Sequence, residues 1–258
     1  MSAFDAFSKS VQRVGLVGTL REIPRFVVHK ITSSRANRAI LRTEELDGFD
    51  RELGTDTSGI VEVFEMEGAT EEQVDSFARY RAARPGTVRA AIEGLGVEYE
   101  KVTFVDVGCG KGRPLLIAAT YPFKRVVGIE FSPELCRIAE GNLRVTAGRP
   151  DRRCADVSVV CADAREAALP GGDLVLFFYE PFTPPILEGF LEHLRRSLDE
   201  ASRSVTVVSL PGGGARASLE PVFASTPWLR HLKVIDLDPA STTDPSSRRA
   251  FVYENVRT

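Results

Sequence analysis

Four carboxylates in this chain follow apolar runs, in positions where they could hold a polar ligand. The stretch Val102 to Pro114 reads Val-Thr-Phe-Val-Asp-Val-Gly-Cys-Gly-Lys-Gly-Arg-Pro, an acid followed by alternating glycines. Gly108, Gly110 and Gly112 can take backbone angles closed to other residues, and without side chains they let a ligand lie against the main chain. Glu130 ends a second apolar run from Arg125, and Asp163 follows a third, Val157 to Cys161. Glu180 follows a fourth, Leu174 to Tyr179. An ionised carboxylate is an acceptor only, so Glu130 and Asp163 suit ligand donors such as hydroxyl or amino groups. Phe131 offers a ring for a base to lie against, and Ala164 a backbone amide. A pyrophosphate cradle would want Gly-x-Gly-x-x-Gly, whereas the spacing here is Gly-x-Gly-x-Gly, so the phosphate reading drops.

These acids meet only if the runs that carry them are parallel strands, since ligands of open α/β sheets bind at the carboxyl ends of strands. Helices between the runs supply the crossovers. Pro114 opens one directly after the glycines, and Ser132-Pro133 opens one with Leu135, Ile138, Ala139 and Leu143. Thr183-Pro184 caps another, and a fifth strand, Val205 to Leu210, leads through Pro211-Gly212-Gly213-Gly214 into a helix with Leu219, Val222 and Phe223. His231 to Leu237 and Ala250 to Glu254 read as a closing hairpin. The alternation predicts an α/β fold with a parallel sheet.

Upstream, residues 1–43 are basic, with two amphipathic helices predicted around Pro24, the first carrying Phe4, Phe7 and Val11 and the second Phe26, Val27 and Ile31. Residues 44–76 are acidic and contain Phe-Asp-Arg-Glu-Leu-Gly-Thr-Asp-Thr-Ser-Gly-Ile-Val from Phe49, whose Thr55 to Gly59 segment is turn-like. Thr70 and Gln73 form a capping box for a helix carrying Val74, Phe77 and Ala78, which Pro85-Gly86 should end before another helix starts at Thr87. The chain divides into a basic helical extension (1–48), a polar turn with helices (49–99) and a ligand-binding domain (100–258). A net charge of −3 gives no global case for nucleic-acid binding. Cys109, Cys136, Cys154 and Cys161 make no Cys-x-x-Cys pair and the histidines are far apart, so no metal site is expected. No signal peptide or membrane-length apolar run is visible, and the expectation is a cytoplasmic protein with reduced thiols.

Residues from about 100 to 258 resemble the class I, seven-strand S-adenosylmethionine-dependent methyltransferases. The resemblance implies a Rossmann-like seven-strand sheet with helices on both faces. It implies S-adenosylmethionine as cofactor and S-adenosylhomocysteine as product, with Asp106, Gly108 and Gly110 at the methionine end. Glu130 and Phe131 would then meet the ribose and adenine, and Asp163 with Ala164 the adenine edge. Over about 49–182 the chain is similar to bacterial methyltransferases of poorly defined substrate, themselves related in pattern to seven-strand protein-lysine methyltransferases. The Thr55 to Gly59 turn is expected to fold over the methionine end, with Thr57 and Asp56 meeting its amino and carboxylate groups. Amine methyltransferases of this fold commonly carry Asn-Pro-Pro-Tyr after the fourth strand. Here the segment is Tyr179-Glu180-Pro181-Phe182, which departs at the Asn position. Glu180 is the candidate proton acceptor, and Tyr179 with Phe182 the wall that excludes water. Residues 1–43 would pack on the domain, cover the acceptor pocket or contact an acidic partner. The expected reaction is methyl transfer to N or O of a small molecule, peptide or protein side chain, an amine or protein side chain being slightly favoured. Alternatives are a small-molecule O-methyltransferase of secondary metabolism, an aminopropyltransferase, and a non-catalytic scaffold; oligomeric state is open.

Overall fold

The computed structural model describes residues 37–256 except 39–40, 43, 46, 68, 212–217 and 238–247. The helices expected before residue 36 lie outside the described residues. The strands are β1 (Ile60–Val61), β2 (Tyr80–Arg81), β3 (Thr103–Val107), β4 (Arg125–Glu130), β5 (Val157–Cys161), β6 (Leu174–Phe178), β7 (Val205–Ser209), β8 (Leu229–Asp236) and β9 (Arg249–Asn255). The helices named below are α1 (Phe49–Leu53), α2 (Glu71–Ser76), α3 (Pro85–Glu93), α4 (Arg113–Ala118), α5 (Pro133–Val145), α6 (Pro184–Glu200) and α7 (Glu220–Ser225).

Seven strands form one sheet in the order β5-β4-β3-β6-β7-β9-β8. The strands β3 to β7 are parallel, and the β8–β9 hairpin adds antiparallel to β7. Successive side chains enter opposite cores. Phe104, Val126, Val175 and Phe177 pack with α3 and α4, while Val105, Ile129, Leu176 and Phe178 pack with α6 and α7. Burial on both faces is why these strands read as unbroken apolar runs rather than alternating ones. The chain order reverses between β3 and β6, so the crevice at a topological switch point opens beside Asp106.

The Thr70–Gln73 capping box is present, and Pro133 and Pro184 each stand in the first turn of a helix. Two boundaries differ from expectation. The helix from Glu71 stops at Ser76, because Phe77 bridges to Phe182 and the chain continues extended into β2. Pro85 opens α3 instead of ending the previous helix, since its fixed φ suits a first helical turn. Val63, Met66 and Phe77 share one core with the sheet, and Val88, Ala91 and Ile92 share the other.

Candidate active site

The glycine turn behaves as its spacing suggests. Gly108, Gly110 and Gly112 have φ of 81°, 54° and 85°, all left-handed. Two of them are also sites of close approach, for a side chain at Gly108 would collide with Pro181, and one at Gly110 with the Tyr80 ring. The β1–β2 pair therefore lies across the turn, and the loop after β6 closes on it from the other side.

Asp106, Gly108, Gly110, Glu130, Phe131 and Ala164 line one crevice, and Tyr179, Glu180 and Phe182 line it as well. Glu130 is buried, and its two oxygens accept from the Gly110 and Ser132 amides at 2.9 Å each. It thereby ties the glycine turn to the end of β4. Asp106 is 2% exposed, and its Oδ2 has no hydrogen-bond partner among the described residues. Burial, with Glu130 nearby, pushes its carboxyl well above the usual range. Burial also raises Glu130, against the opposing amide hydrogen bonds. A buried acceptor with nothing to accept is a costly arrangement that a ligand's donor would relieve.

Asp163 is placed differently. Its oxygens accept from Arg165, Oδ1 from N at 2.9 Å and Nε at 3.0 Å, and Oδ2 from a guanidinium nitrogen at 2.9 Å. Burial would raise this carboxyl, yet Arg165 holds it below the usual value. It does not line the crevice, whereas its neighbours Ala162 and Ala164 do.

The Thr55 to Gly59 turn is also not brought to the crevice. Thr57 is fully buried, with its hydroxyl donating to Asp50 at 2.6 Å and accepting from Arg113 Nε at 2.7 Å. The Asp56 carboxylate accepts from Lys111 Nζ at 2.7 Å, and its backbone is held on both sides by Asn142. The hydroxyls and carboxylate expected to face a ligand are taken by the protein itself. The turn acts through its main chain instead, since the Thr57 carbonyl accepts from the Tyr80 hydroxyl and so fixes the ring that covers Gly110.

The hub of this arrangement is Arg113, a residue to which the sequence reading gave no role. It is 1% exposed, donates also to Asp47 at 3.1 Å and Ser58 at 2.8 Å, lies 3.7 Å from Asp50, and sits over the Phe49 ring. A signal was available: an arginine directly between a glycine turn and an apolar helix start has no solvent to face. Tyr80 and Arg81 were missed too, because a two-residue strand has no readable period.

Glu180 has φ of 43°, the one positive value at a non-glycine among the described residues, and is 7% exposed. Such backbone costs on the order of 1–3 kcal/mol and persists where surrounding contacts over-determine it. Here Ala78 N donates to Pro181 O at 3.0 Å and Thr183 N to Ser76 O at 2.7 Å, pinning the loop from both ends. The arrangement holds a carboxylate inside the crevice that Asp106 and the glycines enter from the other strand.

Residues 104–201 match the protein family described as "Methyltransferase domain". No curated protein matches the chain. Solved structures similar to it include magnesium protoporphyrin IX methyltransferase of Synechocystis PCC 6803 with bound S-adenosylmethionine, at 12% identity and TM-score 0.45 over 67% of this chain and 76% of that one. An RNA methyltransferase of Salinibacter ruber with S-adenosylhomocysteine is similar at 22% identity and TM-score 0.42, over 68% and 92% of the two chains. The ribosomal protein L11 methylase of Lactobacillus delbrueckii subsp. bulgaricus is similar at 17% identity and TM-score 0.43, over 67% and 78%. Residues 104–201 thus carry a methyltransferase domain, set on a seven-strand sheet with the acid-and-glycine turn at its switch point.

Proposed function

We propose that this enzyme moves the methyl group to a nitrogen or oxygen nucleophile held by Glu180, with an amine as the acceptor that fits best. The observation that carries this reading is the Glu180 carboxylate, kept in the crevice in a conformation unfavourable for its residue type. A buried carboxylate suits a partner bringing both donors and positive charge, which an amine does. Glu180 would orient the acceptor N–H and take its proton as the new bond forms, a role typically worth about 10²–10⁴ in rate. Tyr179 and Phe182 would wall the transfer path, and Phe182 is fixed edge-on to Phe77 and Phe178. The cofactor supplies an activated methyl on a sulfonium, so the protein's task is alignment in a dry pocket.

On the cofactor side, Asp106 and Glu130 would accept from the amino and hydroxyl groups, with Phe131 and Ala164 against the base. Isothermal titration with S-adenosylhomocysteine should therefore show Asp106→Ala and Glu130→Ala each binding roughly tenfold or more weakly, the usual loss for a charge-assisted hydrogen bond. Native affinity in both variants removes the two acids from the cofactor site.

The reaction itself is tested with tritiated-methyl cofactor and cell lysate, separated afterwards into protein and small-molecule fractions. Label on amine nitrogen in either fraction supports the reading, and the fraction identifies the acceptor class. Label confined to hydroxyl oxygen or carbon overturns the amine assignment.

A further inference from the structure

We propose that the acceptor carries an anionic group, a carboxylate or phosphate, and that Arg81 receives it. This rests on the reading of Glu180 as the acceptor-side carboxylate. Arg81 lies on β2 and lines the crevice. Its guanidinium donates to the Tyr179 hydroxyl at 2.9 Å and lies 5.5 Å from the centre of that ring. No carboxylate among the described residues pairs with it, although Asp106, Glu130 and Glu180 line the same crevice. Its neighbour Arg79 differs, being paired with Glu62 at 3.4 Å and bonded to Asn37. A guanidinium presents five N–H donors in a planar fork that matches carboxylate and phosphate oxygens two at a time. One donor is used by the neutral phenol of Tyr179.

The position favours the acceptor over the cofactor as the source of the anion. Arg81 is docked on Tyr179, the residue before Glu180, past the end of β6. The cofactor candidates Asp106, Glu130 and Ala164 stand at the ends of β3, β4 and β5. An acceptor bridging Glu180 and Arg81 would present its nucleophile to the carboxylate and its acid to the guanidinium. Two opposed charges at fixed separation select such a molecule by register as well as by affinity.

The test compares the native enzyme with Arg81→Gln and Arg81→Lys. Each is given tritiated-methyl cofactor and the small-molecule fraction of a lysate, and labelled products are separated by anion exchange at about pH 11, where amines are largely neutral and acids keep their charge. The expected result is label in the anion-retained fraction for the native enzyme and at least a tenfold loss for Arg81→Gln. Arg81→Lys should recover part of it, and S-adenosylhomocysteine affinity should stay within twofold in both variants. Undiminished labelling of retained products by Arg81→Gln overturns the proposal. So does a parallel fall in S-adenosylhomocysteine affinity, which would assign Arg81 to the cofactor's own carboxylate. Label found only in unretained amines overturns it while leaving the proposed methyl transfer standing, so the two readings fail separately.

Discussion

Replacing Arg113 by methionine should destabilise the fold by about 3–5 kcal/mol, the usual cost of removing one partner from a buried ion pair. At about 2–4 °C per kcal/mol for a chain of this size, the melting temperature falls by roughly 6–20 °C. Methionine fills much of the same volume, so the loss is that of the guanidinium and its bonds rather than of a cavity. Asp47 and Asp50 keep about a fifth of their side-chain surface, which places the expectation nearer the lower end. Arg113→Lys keeps the charge but not the fork that reaches Thr57, Ser58 and Asp47 together, so it should recover only part. Acid gives the network a second signature. Burial alone would raise Asp50, but hydrogen bonds from Ser58, Thr57 and Thr55 hold it below its ordinary 3.8. A depressed carboxyl contributes stability that is present above its unfolded value and lost as pH falls through the folded one. The native enzyme should therefore lose stability as pH falls below 3.8. Thermal and urea unfolding across pH check both statements, and a melting-temperature loss under about 3 °C would remove Arg113 as the hub.

Glu180→Gln should keep S-adenosylhomocysteine affinity and lose at least ~10² in turnover, equivalent to roughly 2.7 kcal/mol of barrier. Glu180→Gly separates strain from chemistry, because glycine accepts the left-handed backbone freely. That variant should be more stable than native, by about 1 kcal/mol, and as inactive as the glutamine form. Near-native turnover in either variant leaves alignment alone to carry the reaction.

The sheet was readable in advance because its central strands are buried on both faces, which leaves long apolar runs between well-marked helix starts. Asp106, Glu130 and Glu180 were readable for a related reason: a charge just after such a run has few places to go except the crevice at the strand ends. Asp163 obeyed the same rule in sequence position, but its carboxylate does not line the crevice. Arg165, two residues on, was close enough to claim both oxygens, a local pairing that the spacing of strands does not reveal. The placement of the Thr55 to Gly59 turn was hidden for the opposite reason. Its density of short polar groups suggested ligand binding, yet its partners are Asp50 nearby and Lys111, Arg113 and Asn142 far along the chain. Only folding brings those together. Tyr80 and Arg81 belong to a strand pair too short to leave a pattern, held in place by the Thr57 carbonyl and Pro181 contacts that the sequence does not encode locally.

The docking of residues 47–59 onto Lys111 and Arg113 makes the catalytic part of this chain larger than its sheet. A fragment beginning at residue 100 would carry every strand of the seven but would strand Arg113 in the interior with none of its acids. It would also leave Gly110 without the tyrosine that roofs it. Recombining this sheet with the leading segment of a relative would meet the same obstacle unless Asp47, Asp50 and the Thr57 carbonyl came along. A fragment that keeps Arg113 paired therefore has to begin before Asp47, and a change at Lys111 or Arg113 is felt in the acidic leader that bonds to them.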